Sequence, residues 1–81
     1  MTLEEFKNYC LRTLCEAHLW KPLESDFFDF EGSQYRIMME PDHQMSLTVK
    51  TNHRWNIPQL FPTMYDLMAH LFRKHNLVTK L

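Results

Sequence analysis

Between residues 26 and 51 the chain alternates apolar and polar side chains in three successive runs. A period of two is the signature of half-buried β-strands, so this stretch constrains the fold more than any other. In DFFDFEGSQYRIMME (26–40) the alternation runs on both sides of Gly32-Ser33, which predicts a hairpin. A two-residue loop there suits a type II′ turn, with glycine where φ must be positive. That register sets Phe30 opposite Tyr35, Phe28 opposite Ile37, Asp29 opposite Arg36 and Phe27 opposite Met38. Pro41-Asp42-His43 reads as a three-residue loop into MSLTVKT (45–51), which sets Met39 opposite Met45, Ile37 opposite Leu47 and Tyr35 opposite Val49. The three strands form an antiparallel meander with one coherent apolar face.

Period 3.6 brackets this region. Thr2-Leu3-Glu4-Glu5 is a capping box, and Leu3, Phe6, Cys10, Leu14 and Ala17 follow at helical spacing, so a helix is predicted over 3–19, ended by Pro22. Thr63 to Asp66 carry a second capping signal ahead of the stripe Met64, Leu67, Met68, Leu71 and Phe72. Arg73, Lys74 and His75 fall in the last turn, where cations suit the helix dipole, and Asn76 fits the residue beyond the cap. Residues 52–62 read as a loop anchored by Trp55, Ile57, Leu60 and Phe61, while LVTKL (77–81) is too short to assign, an extension along a sheet edge being one course open to it. The expected architecture is a single α+β domain over 1–81, αβββα, with a helix at each end of the meander.

Composition narrows the function classes. The net charge of −1 marks neither a nucleic-acid nor a membrane surface, yet residues 1–31 hold seven acids and three bases, while residues 32–81 hold three acids and six bases. No apolar run is long enough to span a bilayer, and charges break up the first twenty residues, so neither a membrane segment nor a signal peptide is expected. The chain starts at Met1 and reads as a complete small cytoplasmic protein. Cys10 and Cys15 lie five helical steps apart, a turn of about 140°, which sets them on different faces as reduced packing residues. Cys15 and His18 share a face and would supply two metal ligands, but no HxxxH or CxxC spacing supplies the others, so no metal or cofactor is expected. The one glycine excludes a glycine-rich phosphate loop. A pairing of a cysteine with His70 would need a thiolate, whereas Cys10 lies in the middle of an apolar stripe. No enzyme motif emerges.

The αβββα order resembles that of double-stranded-RNA-binding domains, whose binding rests on a basic helix end and loops facing phosphates. The matching positions are Lys50, His53 and Arg54 before the second helix and Arg73 and Lys74 at its end; the family's lysine-rich motif is lacking. TMYDLMAHL (63–71) and SLTV (46–49) resemble the last helix and a central strand of SH2 domains. That resemblance implies a second helix lying over the second sheet face. The SH2 phosphotyrosine arginine stands on the first central strand, where this chain has DFFDF, so that role does not transfer to Arg36 on the next strand.

The second sheet face then carries the functional expectation. It mixes Phe27 and Met38 with Asp29, Glu31, Arg36 and Glu40, apolar anchors within a charged rim, as in a protein–protein contact. Exposed edges on strands one and three would also accept a partner strand. In size and architecture the chain resembles the small inhibitors made by phages and mobile elements, some anti-CRISPR proteins among them. The expectation is a non-enzymatic protein that binds and sterically blocks a host macromolecule through the acidic, aromatic region 24–31 together with Arg36 and Met38, at a nucleic-acid-binding host protein's basic channel. The alternative is a nucleic-acid-binding module using Lys50, Arg54, Arg73 and Lys74. Six methionines and a small core also suit a homodimer.

Overall fold

The computed structural model describes residues 1–77. Helix α1 spans Leu3–Glu16. Its capping box is closed in both directions: Glu5 N–H donates to Thr2 Oγ1 at 3.1 Å, and Thr2 N–H donates to Glu5 Oε1 at 2.9 Å. The α-helix stops short of residue 19, because the chain tightens into a 3₁₀ turn at Ala17–Leu19 and leaves it extended at Trp20. Pro22, which disfavours helical geometry at the residue before it, explains the stop.

Strands β1 (Ser25–Phe30) and β2 (Ser33–Met39) form the first hairpin, but in a register two residues from the expected one. Phe30 pairs with Ser33, Phe28 with Tyr35, Phe27 with Arg36 and Ser25 with Met38; Asp29 faces Gln34 rather than Arg36. The loop is Glu31-Gly32, with φ of 50° and 77°. Two successive positive φ values are the geometry of a type I′ turn, whose twist matches that of the flanking strands. A shift of two preserves which face each side chain points to, so the apolar face survives the correction. From β2 to β3 (Met45–Thr51) the register is the expected one: Met39 with Met45, Ile37 with Leu47, Tyr35 with Val49. His43 takes φ of 71° in the three-residue loop.

Residues 52–62 are more ordered than a loop. Asn52 and His53, both at positive φ, turn the chain back into β4 (Arg54–Trp55), which pairs with the end of β3. After Pro58 the chain rejoins the same edge as β5 (Gln59–Phe61), where Phe61 pairs with Met45. The sheet is therefore a meander of β1, β2 and β3 with an interrupted fourth strand, so β3 is not an edge. Of the four expected anchors only Phe61 packs on the core; Trp55, Ile57 and Leu60 are exposed.

Helix α2 spans Met64–Lys74, capped by Thr63 Oγ1, which accepts from Asp66 N–H at 3.2 Å. It ends at a cap on His75, with Asn76 at φ of 57°, Asn76 N–H bonded to the Arg73 carbonyl and Leu77 N–H to that of Phe72. Those two bonds satisfy carbonyls that a helix end otherwise leaves without partners. Most of the expected LVTKL segment lies outside the described residues.

Both helices pack on one face of the sheet. Phe6 of α1 stacks on Phe30 at 4.1 Å and meets Phe72 of α2 at 6.3 Å. Tyr35, Ile37, Leu67 and Leu71 are fully buried between the layers. The SH2-like expectation of a helix on each face is thus overturned. Both apolar stripes are drawn to the single apolar face that the period-two pattern builds. Among the described residues, no helix is long and apolar enough to cross a membrane.

Candidate interaction surface

The sheet face away from the helices is a grid set by strand register. One row reads Ser25, Met38, Ser46 and Leu60; the next Phe27, Arg36 and Thr48; the third Asp29, Gln34, Lys50 and Trp55. Phe27 and Trp55 stand on the outer strands, yet their ring centroids are 5.9 Å apart, tilted by 59°. The rings therefore lean inward over the central strands, where Ser46 and Thr48 are 2% and 6% exposed. Ser46 Oγ donates to the Met38 carbonyl at 3.3 Å. Phe27 itself is 54% exposed and Trp55 40%.

Two cations flank this aromatic pair. The Arg36 guanidinium carbon lies 6.0 Å from the Phe27 centroid, and Lys50 Nζ lies 5.8 Å from that of Trp55. Contacts of this kind contribute about 0.5–1 kcal/mol at exposed sites. Arg36 Nη2 donates to Met38 Sδ at 2.9 Å, while its Nε is buried with no acceptor. Among the described residues neither cation is paired with a carboxylate.

The structure separates the six residues expected to form one acidic and aromatic contact. Phe27, Arg36 and Met38 lie together, with Asp29 exposed one row away and Glu40 half-buried beyond the end of β2. Glu31 belongs elsewhere: in the turn, its Oε2 accepts from His75 Nδ1 at 2.8 Å. Asp26, in the same acidic stretch, is also engaged. Its Oδ2 accepts from the Tyr9 hydroxyl at 2.8 Å and its Oδ1 from Phe27 N–H at 3.0 Å. Burial and this carboxylate together push the Tyr9 hydroxyl well above the ordinary range. Asp26 also occupies a backbone donor on β1, which makes this edge a poorer template for an added strand.

The four cations of the nucleic-acid alternative are split between the layers. Lys50 is on the open face, whereas Arg54 pairs with Thr51, whose side chain points to the helix side. Lys74 Nζ sits 5.0 Å from the Tyr35 ring, also on the helix side, and Arg73 is exposed on α2.

A chain of polar groups that the sequence did not signal runs from Tyr35 through His75 to Glu31. Tyr35 Oη lies 2.8 Å from His75 Nε2. With Nδ1–H given to the carboxylate, Nε2 is the acceptor of the tyrosine proton. Tyr35 is fully buried, so no reactant reaches it, and the chain ties the first turn to the end of α2. Cys10 is buried as well, and that burial pushes its thiol up to about 12, away from a thiolate nucleophile. His70 packs its ring on Phe61 at 5.2 Å, and burial lowers its pKa. Among the described residues, no group of three or more His, Cys, Asp or Glu side chains is placed to hold a metal ion.

The helix side carries several concavities, two of them set between secondary-structure elements. An open cleft of about 500 Å³ sits at the break between β4 and β5, with Leu47, Val49 and Lys74 in its wall. A groove of about 240 Å³ between the helices is lined by Cys10, Leu14, Met68 and Phe72. No protein-family model matches the chain, and no curated protein and no solved structure matches it.

Proposed function

We propose that this is a non-enzymatic protein-binding module that seats its open sheet face on a partner and blocks the partner sterically, as an inhibitor does. One observation carries the reading: both helices pack on the same side, so among the described residues the face built around Phe27 and Trp55 has no second layer over it. Aromatic and arginine side chains, half-exposed and held in place by their neighbours, are the residues that dominate binding energy at protein interfaces. Reduced cysteines suit work in the cytoplasm. The acidic character expected of this surface contracts to Asp29 and Glu40, because Asp26 and Glu31 are committed to internal bonds.

The test compares surface variants in one capture experiment. Wild-type protein and the variants Phe27→Ala with Trp55→Ala, and Leu11→Ala with Tyr65→Ala, are immobilised and exposed to lysate. The expected result is a protein recovered at fixed ratio by the wild type and the helix-side variant and lost by the sheet-face variant. Equal recovery by all three, or loss only with the helix-side variant, would overturn the proposal.

A further inference from the structure

Resting on that reading, we infer that the partner presents an extended segment with carboxylates at alternate positions, beside an apolar or aromatic side chain that covers Phe27 and Trp55. The inference starts from Arg36. A guanidinium has five donors and no acceptor. Here one nitrogen is spent on a thioether sulfur, a weak acceptor, and Nε is buried without a partner. The buried Nε is out of a partner's reach, but the guanidinium has no carboxylate among the described residues, and its remaining terminal N–H groups are the donors that a partner carboxylate meets in a charge-assisted contact.

Lys50 supplies the second point. Arg36 faces Thr48 across the β2–β3 pair, and Lys50 is two residues beyond Thr48, so the two cations are diagonal neighbours on one face. Such neighbours lie about 7–8 Å apart. Alternate side chains of an extended chain point the same way about 6.8 Å apart, at ~3.4 Å per residue. An acid–any–acid segment therefore matches the spacing of the pair. Phosphates of a single-stranded nucleic acid would meet the same two cations, but Asp29 and Glu40 border the face and repel a uniformly anionic backbone. Tight backbone binding also needs more cations than this face holds.

The test selects random phage-displayed peptides on the full-length protein, then measures the enriched peptides against Arg36→Gln with Lys50→Gln and against Phe27→Ala with Trp55→Ala. Arg36→Met is included because it keeps the packing on Phe27 while removing the charge. An oligothymidylate competes in a separate arm. The expected result is an enriched pattern of alternating acids beside an aromatic or aliphatic residue, with affinity falling about tenfold or more in every variant, the scale of a lost charge-assisted bond. Peptides that lack acids, or that bind the charge variants undiminished yet fail on the aromatic variant, would overturn the inference and leave the proposed function standing. Peptides indifferent to all variants, or no enrichment, would overturn both. An oligothymidylate that displaces the peptides and binds more tightly would replace the protein partner by nucleic acid.

Discussion

Phe27 and Trp55 rise from opposite borders of the sheet and meet above its centre, with ring centroids 5.9 Å apart. Two intervening strands separate their backbones, so the contact requires the outer strands to lean their side chains over the inner two. The meeting gives the open face a shape of its own: an aromatic ridge, a cation beside each ring, and small polar side chains beneath. On the other face the same strands build an ordinary core.

Removing the ridge should disturb binding far more than folding. Phe27→Ala and Trp55→Ala each delete a ring that is about half exposed, so each should cost no more than ~1–2 kcal/mol. Urea denaturation checks the cost. A loss as large as that of a core aromatic, ~3–5 kcal/mol, would mean that the ridge belongs to the hydrophobic core.

The pair Tyr35 and His75 should behave as a unit. His75→Ala strands the buried tyrosine hydroxyl, with an expected cost of ~2–3 kcal/mol. Combining it with Tyr35→Phe removes both partners, so the double variant should cost ~1–2 kcal/mol less than the two single effects added together. Strict additivity in chemical denaturation would contradict the bond.

Leu23 sits at φ of 74°, directly after Pro22, in the turn closed by Glu24 N–H to the Lys21 carbonyl. A positive φ at the third position of a turn with proline at the second favours glycine. Leu23 is largely exposed, so Leu23→Gly removes strain while losing little burial. A gain of about 0.5 kcal/mol, or ~2–4 °C in Tm, is expected by thermal melting. A fall in Tm would show that the leucine packs.

Alkaline pH should weaken the fold through Cys10. Its thiol is pushed up to about 12 by burial, from an ordinary 9.0. The unfolded chain then loses this proton first, so the stabilisation is complete below pH ~9 and declines as pH rises toward ~12. Tyr9, shifted upward by burial and by Asp26, acts in the same direction. Urea midpoints taken on either side of pH 9 should fall for the wild type and fall less for Cys10→Ala. Parallel declines in the two proteins would contradict the assignment. In the native state near pH 8, Cys15 should react with a thiol reagent and Cys10 should not.

Both helices, their caps and the β2–β3 register were legible in the sequence because each rests on local signals: a threonine three residues ahead of an acid, a period of two, a loop of fixed length. The first hairpin was legible in its faces but not in its partners. Gly32 serves either loop, and the observed choice puts Glu31 at positive φ, with its carboxylate on a histidine at the far end of the chain. No local pattern encodes such a contact. The fourth strand was missed because β4 and β5 are too short to show alternation and a proline divides them. In the open face, Phe27, Arg36 and Met38 were readable from strand parity. Trp55 and Lys50 joined them only once the chain turned back at Asn52-His53. Glu31 left the group when the turn claimed it. His75 read as a helix-end cation and proved to be a buried hydrogen-bonding hub.

The most direct measurement places a photo-crosslinking phenylalanine analogue at Phe27 in one sample and at Tyr65, on the helix side, in another, with irradiation in lysate. A discrete protein adduct from position 27 and none from position 65 is the expected result. An adduct from position 65 alone, or a nucleic-acid adduct from position 27, would contradict the assignment of the open sheet face as a protein-binding surface.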